Sequence, residues 1–157
     1  MLLVPTDFSS SSRDAVRLAA RLAASLEARL LLLHVAEIPP PLEETSMIRP
    51  LPDQEPMPLG RFMREACMGE LERYADELRA MGIAVETCVE IGPPLESIAR
   101  VARERSPAMI IVGTHEESGM PHPVFGAIAE DVIRATARPV LTVPKRTRIE
   151  EPMVALA

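Results

Sequence analysis

The stretch Met109-Ile-Ile-Val-Gly-Thr-His-Glu-Glu-Ser-Gly119, continued by Val124-Phe-Gly126-Ala-Ile-Ala-Glu130, decides the fold of this chain. A short apolar run ends at a glycine, a polar loop follows, and a helix pattern opens beyond it. Such a strand-loop-helix step is suited to holding an anion. Glycine lets backbone N–H groups turn inward, and a helix N-terminus adds unpaired donors and the positive end of its dipole. The same loop carries Glu116 and Glu117, whose carboxylates oppose a phosphate.

The same step recurs along the chain. Leu2-Leu3-Val4-Pro5-Thr6 is an apolar run ending at Asp7, and Ser9–Ser12 offers N-caps for a helix. On that helix Ala15, Leu18, Ala19, Leu22 and Leu26 share one face, which is expected to be buried. Ala28–Val35 is read as a second strand, and its four consecutive leucines suit a strand covered by helices on both faces. Residues 37–60 hold Pro39, Pro40, Pro41, Pro50, Pro52, Pro56 and Pro58, too dense for helix or central strand, so a long loop is expected.

Helical spacing returns with Met63, Cys67, Leu71, Tyr74, Leu78 and Met81, and Gly82 is placed to cap the end. Ile83–Val89 reads as a third strand. Gly92-Pro93-Pro94 starts a helix with Leu95, Ile98, Ala99 and Ala102 on its buried face. Met109–Val112 is the fourth strand, Ala127–Ala135 a helix, and Val140–Val143 the fifth strand. Strand and helix thus alternate throughout, which argues for an α/β fold, a parallel sheet with helices on both faces. In such sheets ligands sit at the carboxyl ends of the strands. Thr6-Asp7, His34-Val35-Ala36, Glu90-Ile91-Gly92 and Gly113-Thr114-His115 are expected to converge there.

Composition excludes several classes. The chain has 157 residues, 47% hydrophobic, which suits one domain with a real core. Its apolar runs are too short to span a membrane, and Met1 leads directly into the first strand with no basic leader, so a cytoplasmic protein is expected. A net charge of −6, 3% aromatic residues and no Trp argue against nucleic acid. Cys67 and Cys88 are too few and too far apart for a metal cluster or disulfide framework, and are expected as small buried hydrophobes. His34 reads as a hydrogen-bonded structural histidine. His115 and His122, with Glu116 and Glu117, lack regular metal-ligand spacing, so no metal is expected. Asp7 reads equally as a ligand-binding carboxylate or as a local helix cap. The loop has no lysine and the chain no P-loop, which leaves phosphoryl transfer without its usual cation.

From Leu2 to Pro144 the sequence resembles the universal stress protein family. The resemblance is carried by Leu-Val-Pro5-Thr-Asp7-Phe-Ser, Leu-Leu-His34-Val35, Gly92-Pro93, Ile-Ile-Val-Gly113-Thr-His115 and Arg138-Pro-Val-Leu-Thr-Val-Pro144. It implies a three-layer α/β/α sandwich of the adenine nucleotide alpha hydrolase-like kind, with a five-stranded parallel sheet in the order 3-2-1-4-5. The family domain would cover residues 1–145 and a tail 146–157, with a homodimer formed through strand 140–143. By the same resemblance Asp7 lies near the nucleoside, the Val35 backbone near adenine, and Gly113, Gly119 and Gly126 along the phosphates. The implied nucleotide-binding set is Pro5, Thr6, Asp7, Val35, Gly113, Thr114, His115, Gly119, Gly126 and Ala127.

ATP-binding members resemble Gly, two residues, Gly, nine residues, Gly, then Ser or Thr. Here the second position is Glu116 and the hydroxyl position is Ala127. A carboxylate about 5 Å from one phosphate charge costs on the order of 3 kcal/mol at an effective dielectric near 20. A lost hydroxyl contact to phosphate removes roughly 1.5–3 kcal/mol more. The expectation is a non-catalytic stress-response module that binds ATP weakly or not at all and acts through dimerisation and a protein partner. AMP or a nucleoside is affected less. The competing expectation is a regulatory switch in which ATP or AMP orders the Pro-rich loop over the crevice.

Overall fold

The computed structural model describes residues 1–53, 55–114 and 127–144, with the backbone alone for 127 and 128. In chain order the elements are β1 (Leu2–Pro5), α1 (Ser10–Leu26), β2 (Leu30–Ala36), β3 (Met47–Ile48), β4 (Met57–Pro58), α2 (Leu59–Ala80), β5 (Val85–Ile91), α3 (Pro94–Arg105), β6 (Met109–Thr114), α4 (Ala127–Ala135) and β7 (Val140–Pro144). The main sheet is β5-β2-β1-β6-β7, and its ladders are all parallel. The labels differ from the expected order only because β3 and β4 form a separate two-stranded ladder. Counted among themselves, the five sheet strands run third, second, first, fourth, fifth.

The leucine run of β2 shows why both faces are covered. Leu30 and Leu32 point into a core shared with α1 and α2, whereas Leu31 and Leu33 point into a second core with α3 and α4. Side chains alternate along a strand, so an unbroken apolar run feeds two cores at once.

Helix α1 departs from expectation. Ser9 is its N-cap, with its side chain accepting from the Ser12 N–H, but the buried stripe is Ser11, Ser12, Ala15, Val16, Ala19, Ala20 and Ala23. Leu18 and Leu22 lie at the flank of the core and Leu26 is 63% exposed. The buried stripe is built mainly of small side chains, and at its start the first turn rests directly on the backbone of Gly113. On α2 the expected face is likewise shifted: Leu71, Ala75 and Leu78 are buried, Cys67 and Tyr74 are half-buried, and Met81 is exposed. Helix α3 buries Ser97 and Val101 alongside Ile98 and Ala102, with Leu95 and Ala99 half-buried.

Gly82 ends α2 as its spacing predicts. At φ +83° it follows the cap residue Met81, and the Ile83 N–H donates to Leu78 O while its own N–H donates to Arg79 O. This double closure satisfies the last carbonyls of the helix. The Pro-rich segment is not a plain loop. Its β3–β4 ladder leads into α2, which begins at Leu59, earlier than the apolar spacing indicates. The Leu59 and Gly60 N–H groups donate to Ser46 O (2.8 Å) and Glu44 O (3.0 Å), so loop carbonyls serve the helix start in place of a capping side chain.

Candidate functional site

The cleft begins where β1 stops. The β1–β6 ladder pairs Leu2 with Met109 and Leu3 with Ile110 and goes no further, so the two strands part at the point where the winding of the sheet reverses. On the other side β1 follows β2 until the Thr6 N–H donates to Leu33 O at 2.8 Å. The next rung of a parallel ladder joins the Val35 N–H to the Thr6 carbonyl. Among the described residues that bond is absent, and His34 Nδ1–H donates to the Thr6 carbonyl instead, at 2.8 Å. The His34 ring is the structural histidine of the sequence reading, held against Phe8 at 4.6 Å between centroids, with Phe8 at φ +62°. The amide and carbonyl of Val35 therefore face the space that β1 has vacated.

The turn from β1 into α1 is tied by hydroxyls. Thr6 Oγ1 accepts from the Phe8 N–H and lies 3.1 Å from Ser12 Oγ, which donates to Ser9 O. Asp7 Oδ1 accepts from the Ser9 N–H at 3.0 Å. Asp7 thus performs the local, turn-forming role, while Ser9 rather than Asp7 is the cap. Its exposed carboxylate also lines the cleft, so the ligand-facing role stays compatible with the local one.

The cleft measures about 370 Å³, enough for a nucleoside-sized guest. Leu33, Ile98, Val112 and Ala129 form an apolar floor, and Thr6, Asp7, Ser11, Ser12 and Glu37 a polar rim. No Lys, Arg or His stands among its described lining residues. The described lining thus offers hydroxyls and two carboxylates but no cationic side chain to offset a phosphate charge.

Of the candidate residues, Pro5, Thr6, Asp7, Val35 and Gly113 meet in this cleft. Thr114 does not. Its side chain is buried and its hydroxyl points to Val143 O. His115, Gly119 and Gly126 lie outside the described residues, as do Glu116, Glu117 and His122, and Ala127 is seen only as the first residue of α4. Gly113 has a reason of its own to be glycine. A Cβ there would lie 2.5 Å from Ser11 O and 2.9 Å from Ser12 N, so the first turn of α1 rests directly on its backbone. Ser11, Ser12, Glu37, Pro94 and Ile98 line the cleft without having been singled out as ligand-facing by sequence. For Glu37 a signal existed: Leu33, Val35 and Glu37 continue one alternating face of β2 past its end.

Neither cysteine lines the cleft. Both are free and half-buried rather than fully buried, and burial is the chief cause that pushes each thiol above its ordinary value. Among the described residues no cluster of three or more His, Cys, Asp or Glu could hold a metal ion, and no helix is long and apolar enough to cross a membrane.

Fold and cleft place the chain among α/β proteins with a parallel sheet that opens a cleft at its switch point. The profile of the universal stress protein family matches residues 1–144, and the chain belongs to that family. It is similar to the universal stress protein MJ0577 of Methanocaldococcus jannaschii, 24% identical over 153 residues that cover 92% of this chain and 94% of the relative. Among solved structures it shares its fold with a universal stress protein in complex with cAMP, at a TM-score of 0.65 and 21% identity, covering 92% of this chain and 96% of the other. It likewise matches an Arabidopsis thaliana family member with AMP bound, at a TM-score of 0.64 and 19% identity, covering 93% and 92%.

Proposed function

We propose that this chain is a non-catalytic, cytoplasmic stress-response module whose cleft receives the nucleoside part of an adenine nucleotide and holds a triphosphate weakly. The observation that carries the reading is the lining itself: an apolar floor, the Val35 backbone edge and the Asp7 carboxylate, with no cation among the described lining residues. An aromatic base and a ribose find partners in such a lining, whereas a polyphosphate needs donors and positive charge. The sequence adds Glu116 and Ala127 at positions where the family motif carries Gly and a hydroxyl residue. The AMP and cAMP held by related folds make adenine ligands the first to try. The chain works as a homodimer joined through β7.

The rival switch, in which a nucleotide orders the Pro-rich segment, finds less support, because the Glu44 and Ser46 carbonyls already tie that segment to the start of α2. Calorimetric titration with adenosine, AMP and ATP tests the proposal. The expected result is that ATP binds no more tightly than AMP. ATP bound about tenfold more tightly than AMP, a gain of about 1.4 kcal/mol from the added phosphates, overturns it. Restoring the motif with Glu116→Gly and Ala127→Ser is expected to raise ATP affinity while leaving adenosine unchanged.

A further inference from the structure

We infer that Glu37 is a specificity-determining residue of the cleft, selecting a base that carries an exocyclic amino group over one that carries a keto oxygen. The inference rests on the nucleoside reading above and adds to it a residue and a chemical choice. Three features converge at the mouth of the cleft. Leu33, Val35 and Glu37 all line it, so one alternating face of β2, continued one residue past its end, runs from a buried floor residue to an exposed carboxylate at the rim. The Val35 N–H and C=O face the slot that β1 leaves after Thr6, because the Thr6 carbonyl is engaged by His34. Glu37 has no ion-pair or hydrogen-bond partner among the described residues, unlike Glu86 and Glu90 on neighbouring β5, which are engaged by Arg29, Arg105 and Arg100.

A flat heterocycle entering that slot meets a donor and an acceptor on Val35 and a second acceptor on Glu37. An exocyclic amino group has two N–H bonds to give. One goes to the Val35 carbonyl and the other to the Glu37 carboxylate, while the adjacent ring nitrogen accepts from the Val35 N–H. A 6-keto base reverses this pattern at every point, placing an oxygen lone pair toward a group that only accepts.

The test compares adenosine with inosine on the unmodified protein and on Glu37→Gln, by calorimetry. The amide of glutamine both donates and accepts, so it tolerates the keto oxygen. Adenosine is expected to weaken and inosine to strengthen in the variant, narrowing the preference for adenosine by about fivefold or more, as befits a hydrogen bond to a charged group at an exposed rim. The backbone contacts of Val35 are common to both proteins and cancel in this ratio. If the unmodified protein binds adenosine and the ratio stays the same in the variant, the role of Glu37 is overturned while the nucleoside reading stands. If the unmodified protein binds neither nucleoside, both fall.

Discussion

Gly113 is where two explanations of one residue come apart. In the sequence it begins a glycine-spaced loop and reads as a hinge for phosphate-binding amides. In the structure it lies inside β6, and the tightest constraint on it is the Ser11 carbonyl, 2.5 Å from where a Cβ would stand. Backbone on both sides of the contact leaves no flexible side chain to yield. Gly113→Ala is therefore expected to destabilise the protein by about 2 kcal/mol, typical of overpacking, with no ligand present. Urea unfolding at neutral pH checks it, and an unchanged midpoint would mean that α1 is not seated on β6 as described. Gly69 provides the contrast. It lies within α2 with nothing inside 4 Å of its would-be Cβ, so Gly69→Ala is expected to stabilise by about 1 kcal/mol through helix propensity alone. The steric reason for Gly113 was illegible in the sequence, because the residues that press on it sit at the far end of the chain. That it borders the cleft was legible from its place at the end of an apolar strand.

At the level of elements, the sequence specifies type and order well and the buried face less well. The leucines of β2 and the Gly82 stop could be read directly, since each reflects a local rule of alternation or backbone conformation. The face of α1 could not, because a hydrophobicity pattern favours Leu26 whereas the close approach of the helix selects alanine and serine. The short β3–β4 ladder was hidden by prolines, one of which, Pro58, ends β4 and precedes the first residue of α2. Ser9 secures the start of α1, where its hydroxyl serves the Ser12 N–H and lies 3.1 Å from Ser11 Oγ. Ser9→Ala is expected to cost about 1 kcal/mol in thermal or urea unfolding, the usual loss for a cap. A second clasp joins α2 to β5. Glu72 is bound by Arg79 at 2.6 Å and by the Thr87 hydroxyl, and these hydrogen bonds, that from Arg79 first, hold its carboxyl below the ordinary value. A carboxyl lowered in the folded state stabilises above its unfolded value and loses that contribution as pH falls through the folded one. Unfolding of Glu72→Gln should accordingly show a deficit at pH 7, under about 1 kcal/mol for a pair this exposed, which closes as the pH falls below the carboxylate range. A deficit that stays constant with pH would show that the substitution costs stability through packing rather than through the lost carboxylate charge.

The two edges of the whole sheet are treated differently, and this bears on assembly. On β5 the Val85 carbonyl, which faces away from β2, accepts two hydrogen bonds from the Arg79 guanidinium at 3.2 and 3.0 Å. Glu86, Thr87 and Glu90 add polar side chains along that strand, the usual means of keeping an edge from pairing. On β7 the Ile110 N–H donates to Pro139 O, so residues of odd number turn their backbone toward β6 and Val140 and Thr142 turn theirs outward. Among the described residues nothing covers those groups, and Val140, Leu141 and Thr142 remain half-exposed. A second copy pairing along this edge satisfies the open amides and covers the apolar side chains together, which is how a two-fold symmetric strand addition closes on itself. Sedimentation is expected to give twice the 17.2 kDa mass of the chain. Thr142→Pro removes one outward-facing N–H and leaves the bonds to β6 in place, so it should shift the protein toward the monomer while the fold persists by circular dichroism. A variant that stays fully dimeric places the interface elsewhere, and an unmodified protein that sediments only as a monomer at micromolar concentration leaves the β7 edge without its proposed partner.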